Sequence, residues 1–242
     1  MKNVILIVEK NEQVSKDIYL MRLSGDCSSI ENEGEFIEIQ LPNKFLRRPI
    51  SVSTFSKNHV DILYKILGQG TLEMSTYEVG KKLDVLVGLG NGFTLYDDKK
   101  PTLIAGGIGI APMFSLIEYF SKKNIKPTLI YGARSKDDLV LIDYLKEKTD
   151  LYLCTDDGSF GFKGNVCDCI KNNNLEVEYF YGCGPIRMLQ AISSSFKEGQ
   201  VSLEARMGCG FGACMGFSIQ TKNGPKRVCK EGPVFLASEV IY

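Results

Sequence analysis

Residues 101–120, PTLIAGGIGIAPMFSLIEYF, carry the clearest secondary-structure pattern in this chain. Residues 102–105 read as a short apolar strand and residues 106–109 as a flexible glycine turn, and residues 111–120 carry apolar side chains at the spacing of one helix face. A strand, a turn and a helix in that order are typical of a parallel α/β sheet. Pro112 suits the start of the helix, because an N–H in the first turn has no hydrogen-bond acceptor within the helix and its absence costs nothing.

The same alternation continues to about residue 200. We predict further strands at residues 128–131, 151–155 and 177–181, and helices at residues 138–146, 166–171 and 186–196. This part of the chain is therefore predicted to be a doubly wound parallel α/β domain. Its ligand is expected at the carboxyl edge of the sheet.

The first 98 residues have a different pattern of apolar and turn-forming residues. Short segments at residues 18–23, 35–40 and 60–66 alternate or are rich in β-branched residues, and clusters of Asn, Gly and Pro separate them. This spacing predicts an antiparallel barrel of about six strands. A short helix is expected to begin at Gly70-Thr71, with the threonine as its cap.

Residues 201–242 lose both periodicities. They carry five glycines between residues 208 and 224, and three cysteines. A segment with few apolar residues is expected to have little hydrophobic core of its own. A metal cluster is therefore the natural candidate to order this segment. The predicted fold is α+β and multidomain, with a β-barrel at 1–98, an α/β domain at 99–200 and a small iron–sulfur segment at 201–242.

Composition excludes several classes of function. The 29 basic and 29 acidic side chains cancel, so no global charge favours nucleic acid or an acidic membrane surface as a partner. The longest aliphatic run near the start, residues 4–8, is far shorter than the ~18–20 residues of a membrane span, and we expect a cytoplasmic protein. With one histidine, histidine-based zinc sites and Ser-His or Cys-His catalysis lack their residues, and no catalytic residue is predicted.

Two motifs in the barrel region can bind a phosphate-bearing cofactor. Arg48-Pro49-Ile50-Ser51 combines a forked cation with a small hydroxyl, both of which can donate to a phosphate or a ring. The alternative for this motif alone is the start of a strand with an exposed arginine.

The second barrel motif pairs Leu63-Tyr64-Lys65 with the glycine turn at Gly70-Thr71. Tyr64 can stack on an aromatic cofactor, and a helix that starts after a glycine turn suits a pyrophosphate. An ordinary turn with a helix cap is the alternative.

The α/β region offers a dinucleotide site at one sheet edge. Its glycine turn lets a backbone approach a pyrophosphate closely, although the full Gly-x-Gly-x-x-Gly pattern is absent. Two further loops follow predicted strands and therefore lie at the same edge. The candidate residues are Gly106, Gly107, Gly109, Asp157, Cys183 and Gly184.

Three cysteines have the spacing of a cluster site. Cys209 and Cys214 are separated by four residues with two glycines among them, and Cys229 follows fifteen residues later. The spacing of the first pair matches the start of the plant-type [2Fe–2S] loop, which is Cys-x4-Cys-x2-Cys with a distant fourth cysteine. The third ligand falls at Phe217, and buried free thiols are the alternative.

The order of these motifs resembles the electron-transfer subunits of the NAD-dependent (class 1B) dihydroorotate dehydrogenases, in the ferredoxin reductase superfamily. The likeness covers essentially the whole chain. It is carried by RPIS (48–51), LYK (63–65), GT (70–71), GNGF (90–93), GGIGIAP (106–112), GCGP (182–185), CGFGAC (209–214) and VCKEGPVF (228–235).

The resemblance implies a barrel that holds FAD through residues 48–51, 63–65 and 70–71, an α/β domain for NAD, and a [2Fe–2S] cluster on Cys209, Cys214 and Cys229. It implies conversion of hydride transfer between NAD(H) and FAD into single-electron transfer through the cluster. The implied partner is an FMN-bearing catalytic subunit that oxidises dihydroorotate to orotate in pyrimidine biosynthesis, within a heterotetramer.

Three questions stay open. The family has cysteine where this chain has Phe217, so a neighbour such as Ser218 substitutes, the cluster is labile, or it is absent. The loop at 131–138 offers Arg134 but also two acids, and only the resemblance favours NADH over NADPH. The rival functions are a subunit of a sulfide dehydrogenase or ferredoxin:NADP reductase, and a flavin-binding subunit without electron transfer.

Overall fold

The computed structural model describes residues 1–242 and begins with a closed antiparallel barrel. Around the barrel the strands follow the order β1-β2-β5-β4-β3-β6. A short helix, α1 (Gln69–Ser75), lies between the fifth and sixth strands. The strands are β1 (Lys2–Ser15), β2 (Ile18–Ser24), β3 (Phe36–Ile39), β4 (Arg48–Phe55), β5 (His59–Lys65) and β6 (Lys82–Leu89).

Alternating burial explains why these segments form a barrel. In β6, Leu83, Val85 and Val87 point into a core of 19 buried residues, while the residues between them are more exposed. The predicted six-stranded barrel is confirmed. The sequence pattern does not reveal β1, because Ile5 and Ile7 on its outer face are exposed and hide the alternation.

The second part is a seven-stranded sheet in the order β10-β9-β8-β7-β11-β12-β15, in which β15 (Val234–Leu236) comes from the C-terminal segment. All neighbouring pairs are parallel except the last, in which β15 runs antiparallel to β12. The predicted α/β fold is confirmed. The elements are β7 (Pro101–Gly106), α2 (Met113–Lys122), β8 (Thr128–Ala133), α3 (Ile142–Lys148), β9 (Asp150–Thr155), β10 (Phe162–Lys163), α4 (Val166–Asn172), β11 (Tyr179–Cys183), α5 (Ile186–Ser195) and β12 (Gly199–Ser202).

One predicted helix begins later than expected. The pattern predicts a helix over 138–146, but α3 starts at Ile142. Leu139 and Val140 are buried in the core between the two parts of the molecule, and Leu139 is extended. Burial of two neighbouring side chains therefore overrides the local helical pattern.

The C-terminal segment has more core than its composition suggests. It forms a hairpin, β13 (Ser218–Thr221) with β14 (Gly224–Arg227), and the sheet strand β15 (Val234–Leu236). Val228 and Phe235 are buried against residues of the barrel and the sheet. The expectation of little core is therefore wrong. The boundary predicted after residue 200 falls inside β12, and the three-part division stays a prediction.

Helix α2 packs against barrel strand β4, so the two large parts of the chain share an interface. None of the helices is both long and apolar enough to cross a membrane.

Candidate functional site

A cavity of about 740 Å³ opens where the barrel, the start of α2 and the C-terminal segment meet. Its volume is within the range of pockets that hold small molecules and cofactors. Every residue predicted in the two barrel motifs lies in its wall: Arg48, Pro49, Ile50, Ser51, Leu63, Tyr64, Lys65, Gly70 and Thr71.

Arg48 brings an uncompensated charge to the cavity. Its Nη1 donates to the carbonyl oxygen of Leu46 at 2.6 Å, and no carboxylate forms a salt bridge with it. A Cβ on Gly70 would lie 2.5 Å from Arg48 Nε, so only glycine lets the guanidinium lie over this turn. A free guanidinium in a cavity wall fits the phosphates of FAD.

The helix that borders the cavity starts one residue earlier than predicted. Gly68 occupies the N-cap position of α1, and Thr71 lies in the first turn. The Thr71 hydroxyl oxygen accepts from the N–H of Leu67 at 2.9 Å. Thr71 therefore closes the turn from inside the helix and is not its cap.

The stacking role suggested for Tyr64 is contradicted by its burial. Its ring is 2% exposed, points into the barrel core and stacks on Tyr19 at 5.8 Å between centroids. The hydroxyl donates to Asn11 Oδ1 at 2.9 Å. The alternation along β5 instead turns Leu63 away from the barrel, toward the α/β domain.

Lys65 forms salt bridges with two aspartates. Its Nζ lies 2.6 Å from Asp138 and 3.4 Å from Asp17, and these hydrogen bonds raise the pKa of the lysine. Lys65 therefore links the barrel to the loop before α3, and little of its charge is left for a ligand.

The predicted glycine turn lies against the loop after β11. Strands β7 and β11 pair in register, and a Cβ on Gly109 would collide with the carbonyl of Cys183. Gly107 has φ +56° and faces open space, so its backbone can meet a phosphate. Thus Gly106, Gly107, Gly109, Cys183 and Gly184 come together, and the turn fits the pyrophosphate of NAD.

Asp157 stands apart from that group. It follows β9, which is separated from β7 by β8, although all three strands end at the same sheet edge. Its carboxylate accepts from the N–H and the hydroxyl of Ser159 at 2.9 and 2.6 Å. The structure therefore does not bring it against the glycine turn.

Sequence reasoning missed part of the cavity wall. Residues 202–207, which begin at the last residue of β12, line the cavity, and so do Lys44 of the barrel and Pro233. Glu204 is exposed to the cavity, but the protein atoms around its carboxylate displace water and so raise the pKa of this group. No motif marks these residues, and only the pairing of β12 with β11 brings them here.

The three cysteines lie in and beside the glycine-rich loop. The N–H groups of Ala213 and Cys214 donate to Cys209 Sγ at 3.2 and 3.4 Å. Burial opposes ionisation of Cys209, but these and other donors lower its pKa to about 7. Burial raises the pKa of Cys229, and the charges of Cys209 and Cys214 raise it further.

The donor set fits an iron–sulfur centre only in part. Three sulfurs belong to this region, but no three ligating side chains are close enough to hold a metal ion as they stand. Phe217, where the pattern requires the remaining ligand, is 41% exposed and has no donor atom. Ser218 beside it is exposed.

A buried carboxylate abuts this loop. Glu38 on β3 is 1% exposed, and its Oε1 has no hydrogen-bond partner. A Cβ on Gly210, which has φ +73°, would collide with the carboxylate. Burial raises the pKa of Glu38 to about 7, against the nearby charge of Arg47.

Two family models match the chain. Residues 204–241 match the "Iron-sulfur cluster binding domain of dihydroorotate dehydrogenase B", and residues 103–194 match the "Oxidoreductase NAD-binding domain".

Curated relatives match over nearly the full length. A protein of Fusobacterium nucleatum named "Dihydroorotate dehydrogenase B (NAD(+)), electron transfer subunit" is 39% identical over a gapped alignment of 249 positions that covers 96% of each chain. A Bacillus cereus protein of the same name is 36% identical over a gapped alignment of 252 positions that covers 98% of this chain and 97% of the relative.

Solved structures share the fold. One described as an NADH-dependent reduced ferredoxin-NADP oxidoreductase superposes with a TM-score of 0.89 at 26% identity, and the match covers 99% of this chain and 90% of that one. A flavohemoglobin from Malassezia yamatoensis with bound FAD and heme has a TM-score of 0.69 at 21% identity, with 83% and 60% covered. The second likeness shows the fold alone.

Proposed function

This chain belongs to the family of dihydroorotate dehydrogenase B electron transfer subunits, and from that premise we propose that it carries electrons between NAD(H) and a catalytic subunit that oxidises dihydroorotate. The resemblance predicted from the motifs is confirmed by the full-length relatives. The chain is an oxidoreductase subunit with NAD-binding and iron–sulfur segments.

The observation that carries the proposal is the convergence of both barrel motifs on one cavity beside the glycine turn. Ile108 and Ala111 of that turn line the cavity together with Arg48 and Ser51. A cofactor held there therefore meets the domain that holds the nicotinamide. When bound, FAD supplies the exchange between hydride transfer and single-electron transfer.

The residues of this chain bind and orient the two nucleotides. Arg48 holds the FAD phosphates, and Gly70 leaves room for its guanidinium. Ser51 donates to the same cofactor. The packed turns at Gly109 and Cys183 keep the NAD site rigid, while Gly107 exposes its backbone to the pyrophosphate.

A partner catalytic subunit follows from the family, and we propose that it contains FMN and assembles with this chain as a two-plus-two heterotetramer. The cluster loop supports a docking face, because Phe211, Met215 and Phe217 expose between 41% and 69% of their surface. Native purification of the tagged chain from its own cells tests this. A monomer without a flavoprotein partner contradicts it.

The absorbance spectrum of freshly purified protein tests the function itself. We expect flavin bands together with broad visible iron–sulfur bands, and reduction of one-electron acceptors by NADH. Flavin bands alone support the rival in which electron transfer has been lost. Iron–sulfur bands without flavin contradict the assignment of the cavity.

We expect the chain to prefer NADH to NADPH. Recognition of a 2′-phosphate would need a free arginine at the ribose. Arg134 is exposed in the loop after β8, but Asp137 follows closely and its negative charge disfavours an added phosphate, whereas the charge of Asp138 is paired with Lys65. Diaphorase assays with each nucleotide measure the preference. Equal kcat/KM for both nucleotides contradicts it.

A further inference from the structure

We propose that Glu38, supplied by the barrel, is the fourth ligand of the iron–sulfur site in this chain. The inference deepens the proposed function and rests on it. Phe217 stands where the cluster pattern has a cysteine, so the loop lacks one ligand. Glu38 is a buried carboxylate that contacts the same loop, and one of its oxygens has no hydrogen-bond partner.

The position of Glu38 follows from the alternation of β3. Ile37 and Ile39 point into the barrel core. Phe36 and Glu38 therefore face outward, and Phe36 belongs to the same buried cluster as Cys229. One face of β3 thus supports the cysteine segment, and Glu38 meets it at Gly210, the residue next to Cys209.

Nothing else in the structure accounts for the burial of this carboxylate. Arg47, the nearest cation, forms its salt bridge with Asp84 at 2.9 Å. Burying a carboxyl oxygen without a hydrogen bond costs free energy, and coordination of a cation removes that cost. A metal ion bound at Oε1 would therefore supply the partner that the surrounding protein does not.

The other oxygen donors near the cysteines are less suitable. Glu231, two residues after Cys229, is bound by the guanidinium of Arg227. Ser218 is exposed on the hairpin, and a serine must lose a far less acidic proton to become an anionic ligand.

Ligand charge supports the same choice. Three thiolates and one carboxylate carry the same four negative charges as four thiolates, and iron accepts both donor types. On ligation Glu38 releases its proton to solvent, and no electron moves. The glycines around Cys209 and Cys214 let the loop draw its sulfurs together when metal binds.

The test is anaerobic reconstitution of the full FAD-loaded chain with ferrous iron and sulfide. We expect about two irons and two labile sulfides per wild-type chain, and an EPR signal after reduction. Glu38→Gln should shorten the lifetime of the cluster in air by about tenfold or more, since even indirect partners of metal ligands contribute 10- to 100-fold.

Two matched controls separate ligation from folding. Glu35→Gln changes another buried carboxylate just before β3, whose Oε1 accepts from Asn32 and whose Oε2 also has no partner, and Ser218→Ala removes the rival donor. Both should keep wild-type iron content. Glu38→Asp keeps a carboxylate and should retain more iron than the isosteric Glu38→Gln, a difference that a purely structural role would not produce.

Each contrary result has a distinct meaning. Wild-type iron content, lifetime and EPR signal in Glu38→Gln overturn the inference and leave the proposed function standing. Loss of iron in Ser218→Ala but not in Glu38→Gln overturns it in favour of serine. A wild-type chain that binds FAD but no iron overturns both the inference and electron transfer through this segment.

Discussion

Arg48→Ala is expected to weaken FAD binding by about 1.5–3 kcal/mol, the usual range for a charge-assisted hydrogen bond, or roughly 10- to 150-fold in dissociation constant. The guanidinium has no carboxylate partner, so its charge is available to the cofactor phosphates. The variant should purify with substoichiometric FAD. Fluorescence titration of the apoprotein with FAD measures the change in affinity.

Arg22→Ala is the matched control for this prediction. It removes one guanidinium from the barrel, but Arg22 is bonded to Asp61 at 2.7 Å and does not line the cavity. We expect unchanged FAD affinity in this variant. A full complement of FAD with unchanged affinity in Arg48→Ala would show that the phosphates lie elsewhere.

Phe217→Cys is expected to lengthen the lifetime of the iron–sulfur centre in air by about tenfold or more, because a thiolate replaces a weaker oxygen ligand. Phe217 is exposed at the position that the cluster pattern assigns to cysteine. In protein purified in air, Phe217→Cys should retain more iron than wild type and transfer more electrons to one-electron acceptors, while reduction of the flavin by NADH stays unchanged. Iron analysis and stopped-flow absorbance measure the two effects.

Met215→Cys is the control for position. It adds a thiol to the same loop at an exposed residue outside the cluster spacing, and we expect no gain in cluster lifetime. In the Phe217→Cys background, Glu38→Gln should lose its effect, because the fourth ligand is then a thiolate. If Phe217→Cys adds nothing to a native chain that already holds two irons, the alignment of this loop fails.

Local patterns are sufficient for most elements but not for all boundaries. The glycine turn between a strand and a helix predicts the α/β sheet, because each step of that unit depends on neighbours in sequence. The pattern places the start of α3 too early, since the burial of Leu139 and Val140 depends on packing against distant residues. The pattern also does not reveal β1. The outer face of this strand carries the exposed residues Ile5 and Ile7, so apolar and polar side chains do not alternate along it.

The candidate site shows the same division. Carboxyl ends of neighbouring parallel strands meet at one edge by rule, so sequence alone could place Gly109 and Cys183 together. It could not show that Tyr64 points into the barrel or that Lys65 is paired with Asp138. Those outcomes depend on which face of a strand is covered and by what.

The order and spacing of local motifs are sufficient to predict the fold class, the family and the missing cysteine at position 217. The folded chain is needed to show that Arg48 has no acidic partner, that residues 202–207 complete the cavity wall, and that Glu38 is buried against Gly210. These outcomes depend on contacts between segments that lie far apart in the chain. The free energy of burial and charge pairing there is set by packing, which no local pattern encodes.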